Sequence, residues 1–336
     1  MTQPLKPLPL EVDEDFRTRC DAVFRQWSSG NLPYKTAMDS LLQLELEGAK
    51  GSQVANQGYA ENTIGLLYGY RADFDRSIRH FARARDLFER ANKPDRVLGC
   101  MLNIGESYRQ KGDFIRARQF FRTAFDQAIF FGDHAVAAIS AANEGDLLLS
   151  QDQIDSARER FTKALEIITG SEVAERRRWQ VIAQVKQGMV KVYVQQHDVA
   201  SAWSCALESL EVARQADVPF LLGGAYRTMG EVLTALGNTP DNAPREQPNN
   251  PDPAATNETL GDPDMYFQLS IDQYRKISAE GEIARTIFLQ GKSLLARGQK
   301  VTASRKFQQA TLMFTKLGMK DDATKAAQAQ MNSIED

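Results

Sequence analysis

The chain has 336 residues, of which 42% are hydrophobic and 25% charged, a balance that supplies a folded core and excludes wholesale disorder. Lys and Arg number 41 against 44 Asp and Glu, a net charge of −3, which is the wrong sign for gripping phosphate backbones along its length, so nucleic acid is not an expected partner. Cys20, Cys100 and Cys205 are few, odd in number and far apart, which excludes a disulfide framework or zinc knuckle and matches a reducing, cytoplasmic setting.

In chain order, residues 1–13 open with three prolines among leucines and run into acidic residues. That pattern reads as a disordered N-terminus without the apolar core of an export signal. No apolar run approaches the roughly 20 residues of a membrane span, so membrane insertion is not expected. From 14 to 54, Phe16, Cys20, Val23, Phe24 and Trp27, then Ala37, Leu41 and Leu44, recur at helical spacing around a Gly30-Asn31-Leu32-Pro33 turn. This predicts a helical cap hairpin. Residues 48–58 hold little to pack and read as a link from the cap to the helices beyond it.

From there the sequence repeats. Gly105, Tyr108, Ala117, Phe121 and Ala124 recur forty residues earlier as Gly65, Tyr68, Ser77, Phe81 and Ala84, and forty later as Gly145, Leu148, Ala157, Phe161 and Ala164. Looser copies begin at Val190, Gly230 and Gly291, giving about six. Each copy holds two helical patterns around a turn such as Gly112-Asp113-Phe114, where glycine ends one helix in the left-handed region and aspartate caps the next. Small residues let the paired helices approach, and aromatic ones fill the space beside them. A lone hairpin of this kind leaves its apolar face open, so the copies must stack.

The expected bounds are repeats over 55–237 and 264–320, with a polar closing helix over 321–336. Between the repeats, residues 238–263 hold six of the chain's twelve prolines and five asparagines without an aromatic. They read as a disordered acidic insertion between the two helices of one hairpin.

Catalytic parts are missing from the pattern. His80, His134 and His197 lack metal-ligand spacing, and neither phosphate-binding loops nor a nucleophile elbow occur. No catalytic residue, metal or cofactor is expected. The basic stretches 71–96 and 175–179 read as solvated faces with local ion pairs.

The succession Gly-x-x-Tyr then Ala-x-x-x-Phe-x-x-Ala resembles the tetratricopeptide repeat family over roughly residues 55–320. The period of about 40 is longer than that family's 34 and is similar to the lengthened repeats of kinesin-light-chain-like scaffolds and bacterial peptide-sensing regulators. The resemblance implies an all-α, right-handed α-solenoid of about six hairpins behind the N-terminal cap. It also implies that first helices line a concave groove that holds a partner. Helical projection puts Thr63, Asn103, Glu106, Arg109, Asn143, Asp146, Lys191 and Glu231 on that face, with Thr228 in the Asn place of a later copy. Gly188 and Leu289 replace the Asn elsewhere. Asn103 and Asn143 resemble an asparagine ladder, whose carboxamides both donate to and accept from a peptide backbone.

The implied function is a non-catalytic scaffold or adaptor that binds a partner protein's peptide or helix. The alternative is a peptide-sensing regulator that changes superhelix shape to control a second protein. End hairpins can stack on a second copy, so homo-oligomerisation belongs among the expectations.

Overall fold

In the computed structural model, residues 14–51, 53–237 and 261–335 are described, and the expectations for 1–13 and 238–260 fall outside them. Among the described residues there are fifteen α-helices and no strand. They are α1 Glu14–Ser28, α2 Tyr34–Lys50, α3 Val54–Tyr70, α4 Phe74–Arg90, α5 Pro94–Gln110, α6 Phe114–Phe131, α7 His134–Leu149 and α8 Ile154–Thr169. Beyond these lie α9 Glu175–Gln195, α10 Val199–Ala216, α11 Pro219–Leu236, α12 Pro263–Lys276, α13 Glu280–Ala296, α14 Lys300–Lys316 and α15 Lys320–Glu335. The chain divides into two compact units, the first ending at Val136 and the second running from Ala137.

In the first unit α1 and α2 form the cap hairpin, which packs on α3. Trp27, 1% exposed, sets its ring edge on Tyr70 at 5.1 Å and has Phe24 at 5.6 Å. The hairpins α3/α4 and α5/α6 come next. Their registration rests on glycines of the first helix facing phenylalanines of the second: a Cβ on Gly65 would sit 2.7 Å from the Phe81 ring, and one on Gly105 2.7 Å from the Phe121 ring. Only the missing side chain lets the rings lie flat on the backbone.

The 48–58 stretch corrects the linker expectation. Gly48 is the buried last-turn residue of α2, where a Cβ would meet the Gln57 backbone nitrogen at 2.9 Å, and Gly58 lies against Phe88. These small residues are a close helix crossing, with α2 running to Lys50 and α3 beginning at Val54.

The second unit repeats the device. Gly145 of α7 and Gly188 of α9 both face Phe161 of α8, Gly230 of α11 faces Phe267 of α12, and Gly291 of α13 faces Phe307 of α14. In the α9/α10 hairpin Val190 and Ala206 occupy the glycine and phenylalanine places, both 0% exposed, so bulk is moved from one helix to the other. The helices α11 and α12 pair across the insertion, and α15 closes the unit against α14. Residues 261–263 do not prolong the insertion: Asp262 accepts the Asp264 amide at 2.9 Å, and Pro263 is the first residue of α12.

Turns within hairpins use the left-handed region, as Gly112 (φ +87°) does. The same place is taken by Ala72 at +61°, Asp152 at +57° and His197 at +58°, residues that adopt it at a cost of about 1–2 kcal/mol. Second helices start on aspartate caps: Asp73, Asp113 and Asp198 accept the amides of Arg76, Arg116 and Ser201 at 3.1–3.2 Å. Asp113→Ala should therefore lower stability by about 1 kcal/mol, read as an earlier urea midpoint at unchanged slope; an unmoved midpoint would show the cap to be dispensable.

Candidate functional site

The first helices carry their own polar connections from hairpin to hairpin. In the first unit, Asn103 on α5 donates its Nδ2 to the Asn62 Oδ1 on α3 at 3.2 Å. One turn on and within α5 itself, Glu106 takes a two-point ion pair from Arg109 at 2.7 and 2.8 Å and a further bond from Gln110 Nε2 at 2.6 Å.

In the second unit, Gln184 on α9 donates to Asn143 Oδ1 at 2.7 Å and to Asp146 Oδ2 at 3.3 Å, both on α7. Gln187 reaches the Leu221 carbonyl of α11 at 3.2 Å, and Gly224 leaves room for its amide, since a Cβ there would fall 2.2 Å from Gln187 Oε1. From α11 to α13 the link becomes ionic: Arg227 meets Glu282 at 2.5 Å, Glu282 also binds Arg285 at 2.6 Å, and Arg285 reaches Asp322 of α15 at 3.2 Å.

Arg227 and Glu282 are 12% and 13% exposed. Burial alone would push the Glu282 carboxyl up, but the two guanidinium groups outweigh it and hold the carboxyl well below the usual carboxylate range. Burial likewise works against the charge of Arg227, and Tyr274, Glu282 and Glu231 together raise its pKa nonetheless.

The projected site residues fall into three groups. Asn103, Asn143 and Asp146 bond between successive first helices, Asn143 from a buried position, and Glu106 and Arg109 pair with each other within α5. Among the described residues Lys191 is half-buried without an ion pair, and Glu231 is half-buried with no hydrogen-bond partner for its Oε2. Thr63 and Thr228 are buried, and their hydroxyls bond back to the Tyr59 and Ala225 carbonyls at 2.9 Å, so neither stands open on the face. Gly188 is a packing glycine under Phe161 instead of a gap in an asparagine row. Projection missed Asn62, Gln184, Gln187, Arg227, Glu282 and Arg285. A search one residue beyond the forty-residue period finds two of them, since Asn62–Asn103 and Asn143–Gln184 are both separated by 41.

Groups suited to nucleophilic or metal chemistry are placed otherwise. Burial pushes the Cys20 and Cys100 thiols up to about 12 and raises Cys205, which keeps the reactive thiolate scarce. His80 is tied to the fully buried Glu61, which also pairs with Arg83 at 3.0 Å. Among the described residues no three His, Cys, Asp or Glu converge as metal ligands, and no helix is long and apolar enough to cross a membrane. In the basic stretch, Arg76, Arg83, Arg85 and Arg96 are ion-paired.

Hairpins registered by glycine on phenylalanine, stacked one after another, define an all-α helical-repeat protein of the solenoid class. Residues 56–126 and 97–169 match the tetratricopeptide repeat family, and this part of the chain consists of such repeats. No curated protein matches the sequence.

Among solved structures, the chain is similar to the Rap conjugation gene regulator of plasmid pLS20 in complex with the Phr peptide, at TM-score 0.66 and 14% identity over 92% of this chain and 75% of that one. It is also similar to the apo form of RapI, at TM-score 0.59 and 11% identity over 90% and 99%. A third is NprR in complex with its cognate peptide NprX, at 0.56 and 12% over 90% and 83%. At these identities the likeness is one of fold.

Proposed function

We propose that this chain is a non-catalytic tetratricopeptide protein that binds a peptide or helix of a partner protein along its first-helix face, acting as a scaffold or adaptor in the cytoplasm. The observation that carries the reading is the concentration of carboxamides and paired charges on that face in each unit. Carboxamides offer a donor and an acceptor together, the complement of a peptide group. Charges of both signs select among partners more than they add affinity. The buried, protonated thiols and tied histidine support a role without covalent chemistry.

A pull-down from native cell extract tests it, comparing wild type with the triple variant Asn103→Ala, Asn143→Ala, Arg109→Ala after both give the same helical signal and urea midpoint within about 1 kcal/mol. A specific protein retained by wild type and depleted at least about tenfold by the variant, a loss of roughly 1.4 kcal/mol, is the expected result. Equal retention of every bound protein would overturn the assignment of that face.

The second reading, a peptide-sensing regulator, draws support from the peptide-bound Rap and NprR structures of the same fold. It predicts a smaller radius of gyration on adding the bound peptide, measured by small-angle scattering. An adaptor keeps its dimensions.

A further inference from the structure

The first unit carries a second feature, away from the polar connections of its first helices. The last turn of α6 exposes Ile129, Phe130 and Phe131 in succession, at 49%, 83% and 55%. Three exposed large apolar residues in a row are unusual for a surface helix. Phe130 and Phe131 stand nearly perpendicular, centroids 5.2 Å apart, and form one wall of an open cleft of about 490 Å³. Pro94 and Val97 from the first turn of α5 also line it, together with Glu89, Asp126 and Lys93. Asp126 and Lys93 have no ion pair among the described residues, and Glu89 has only a 3.6 Å contact to Arg85.

We infer that this cleft is a docking site for an extended, proline-containing segment of a partner protein, with proline or leucine seated against Phe130 and Phe131 and a Lys or Arg on Asp126. The volume falls in the range of about 300–1,000 Å³ typical of clefts that hold a few groups. Perpendicular aromatic rings beside apolar side chains receive the flat faces of proline, whose preformed extended backbone gives up little entropy on docking. Asp126 is the lining carboxylate without an ion pair among the described residues, which selects a base beside it in the segment and disfavours an acid there.

The test uses the full chain and a fluorescein-labelled peptide of alternating proline and leucine that ends in a single arginine, followed by anisotropy. Saturable binding is expected. It should weaken at least about tenfold, roughly 1.4 kcal/mol, in Phe130→Ser and for a peptide with glutamate in place of arginine. Asp126→Lys should reverse the preference between the two peptides. Phe130 is exposed, so its loss should leave the urea midpoint in place and keep the binding result readable.

Absence of saturable binding, or equal affinity of wild type and Phe130→Ser, overturns the proposal. So does a concentration-dependent dimer in light scattering that Phe130→Ser abolishes, because the occupant is then a second copy of the chain. None of these outcomes bears on the first-helix face.

Discussion

Replacing Arg227 by methionine is expected to lower stability by about 3 kcal/mol at neutral pH, and the loss is expected to shrink as the solution is acidified. Arg227 spans from α11 to Glu282 of α13, and both side chains are almost enclosed. Removing one member of such a pair leaves a desolvated charge and costs roughly 3–5 kcal/mol. The lower end applies because Arg285 stays 2.6 Å from the same carboxylate.

The pH dependence comes from Glu282, whose native carboxyl is held below its usual range. A depressed carboxyl contributes stability that is fully present above its unfolded value of about 4.3 and is lost as pH falls toward the native value. Wild type therefore loses this contribution below about pH 5. Without Arg227 the carboxyl loses part of what depressed it, so the variant has less to lose. Urea titrations at neutral pH and near pH 4, just below the unfolded value, should show the gap between the two proteins narrowing. Replacing Arg227 and Glu282 together by methionine should recover most of the loss, since an apolar pair of similar volume is often neutral or better. A double variant as unstable as the single one would show that the network acts through shape and not through charge.

How much of the molecule is legible in its sequence depends on what each feature needs. The hairpins are legible because glycine-on-phenylalanine packing forces a residue type at a fixed offset: Gly65, Gly105, Gly145 and Gly291 each face the phenylalanine sixteen residues on, as the forty-residue repeat implies. The first-helix face is partly legible. Asn103 and Asn143 take part in bonds between first helices, yet their partners Asn62 and Gln184 lie 41 residues away, one residue off the forty-residue period.

The ionic network escapes because Arg227 and Glu282 are 55 residues apart, the intervening insertion having broken the period. Gly188 misleads because α9, at 21 residues, is the longest helix among those described, and its glycine lies two residues before the Val190 marker. His197 and Ala72 escape for a different reason: nothing in their chemistry announces a left-handed turn. Phe130 and Phe131 fall between one copy's Ala124 and the next copy's Gly145, outside every repeated position.

Phe161 carries the other large effect. Its side chain on α8 is 0% exposed and is held between two glycines, Gly145 on α7 and Gly188 on α9. Phe161→Ala should cost about 3–5 kcal/mol, and toward the upper end, because the walls facing the lost ring have no side chains to relax into the cavity. Gly188→Ala alone should be destabilising by a smaller amount. Its new methyl would fall 2.2 Å from a ring carbon, an overpacking cost of about 1–3 kcal/mol partly offset by the roughly 1 kcal/mol that alanine gains over glycine within a helix.

In the double variant the two defects answer each other. The methyl enters the space the ring vacated, the clash disappears, and the helix preference of alanine remains. The combined loss in urea titration should therefore be smaller than the sum of the single losses by about 1–3 kcal/mol, the scale of coupling between residues in contact. If the two losses add to within about 0.5 kcal/mol, Phe161 is not what requires glycine at 188, and the registration of α8 between its two neighbours has another cause.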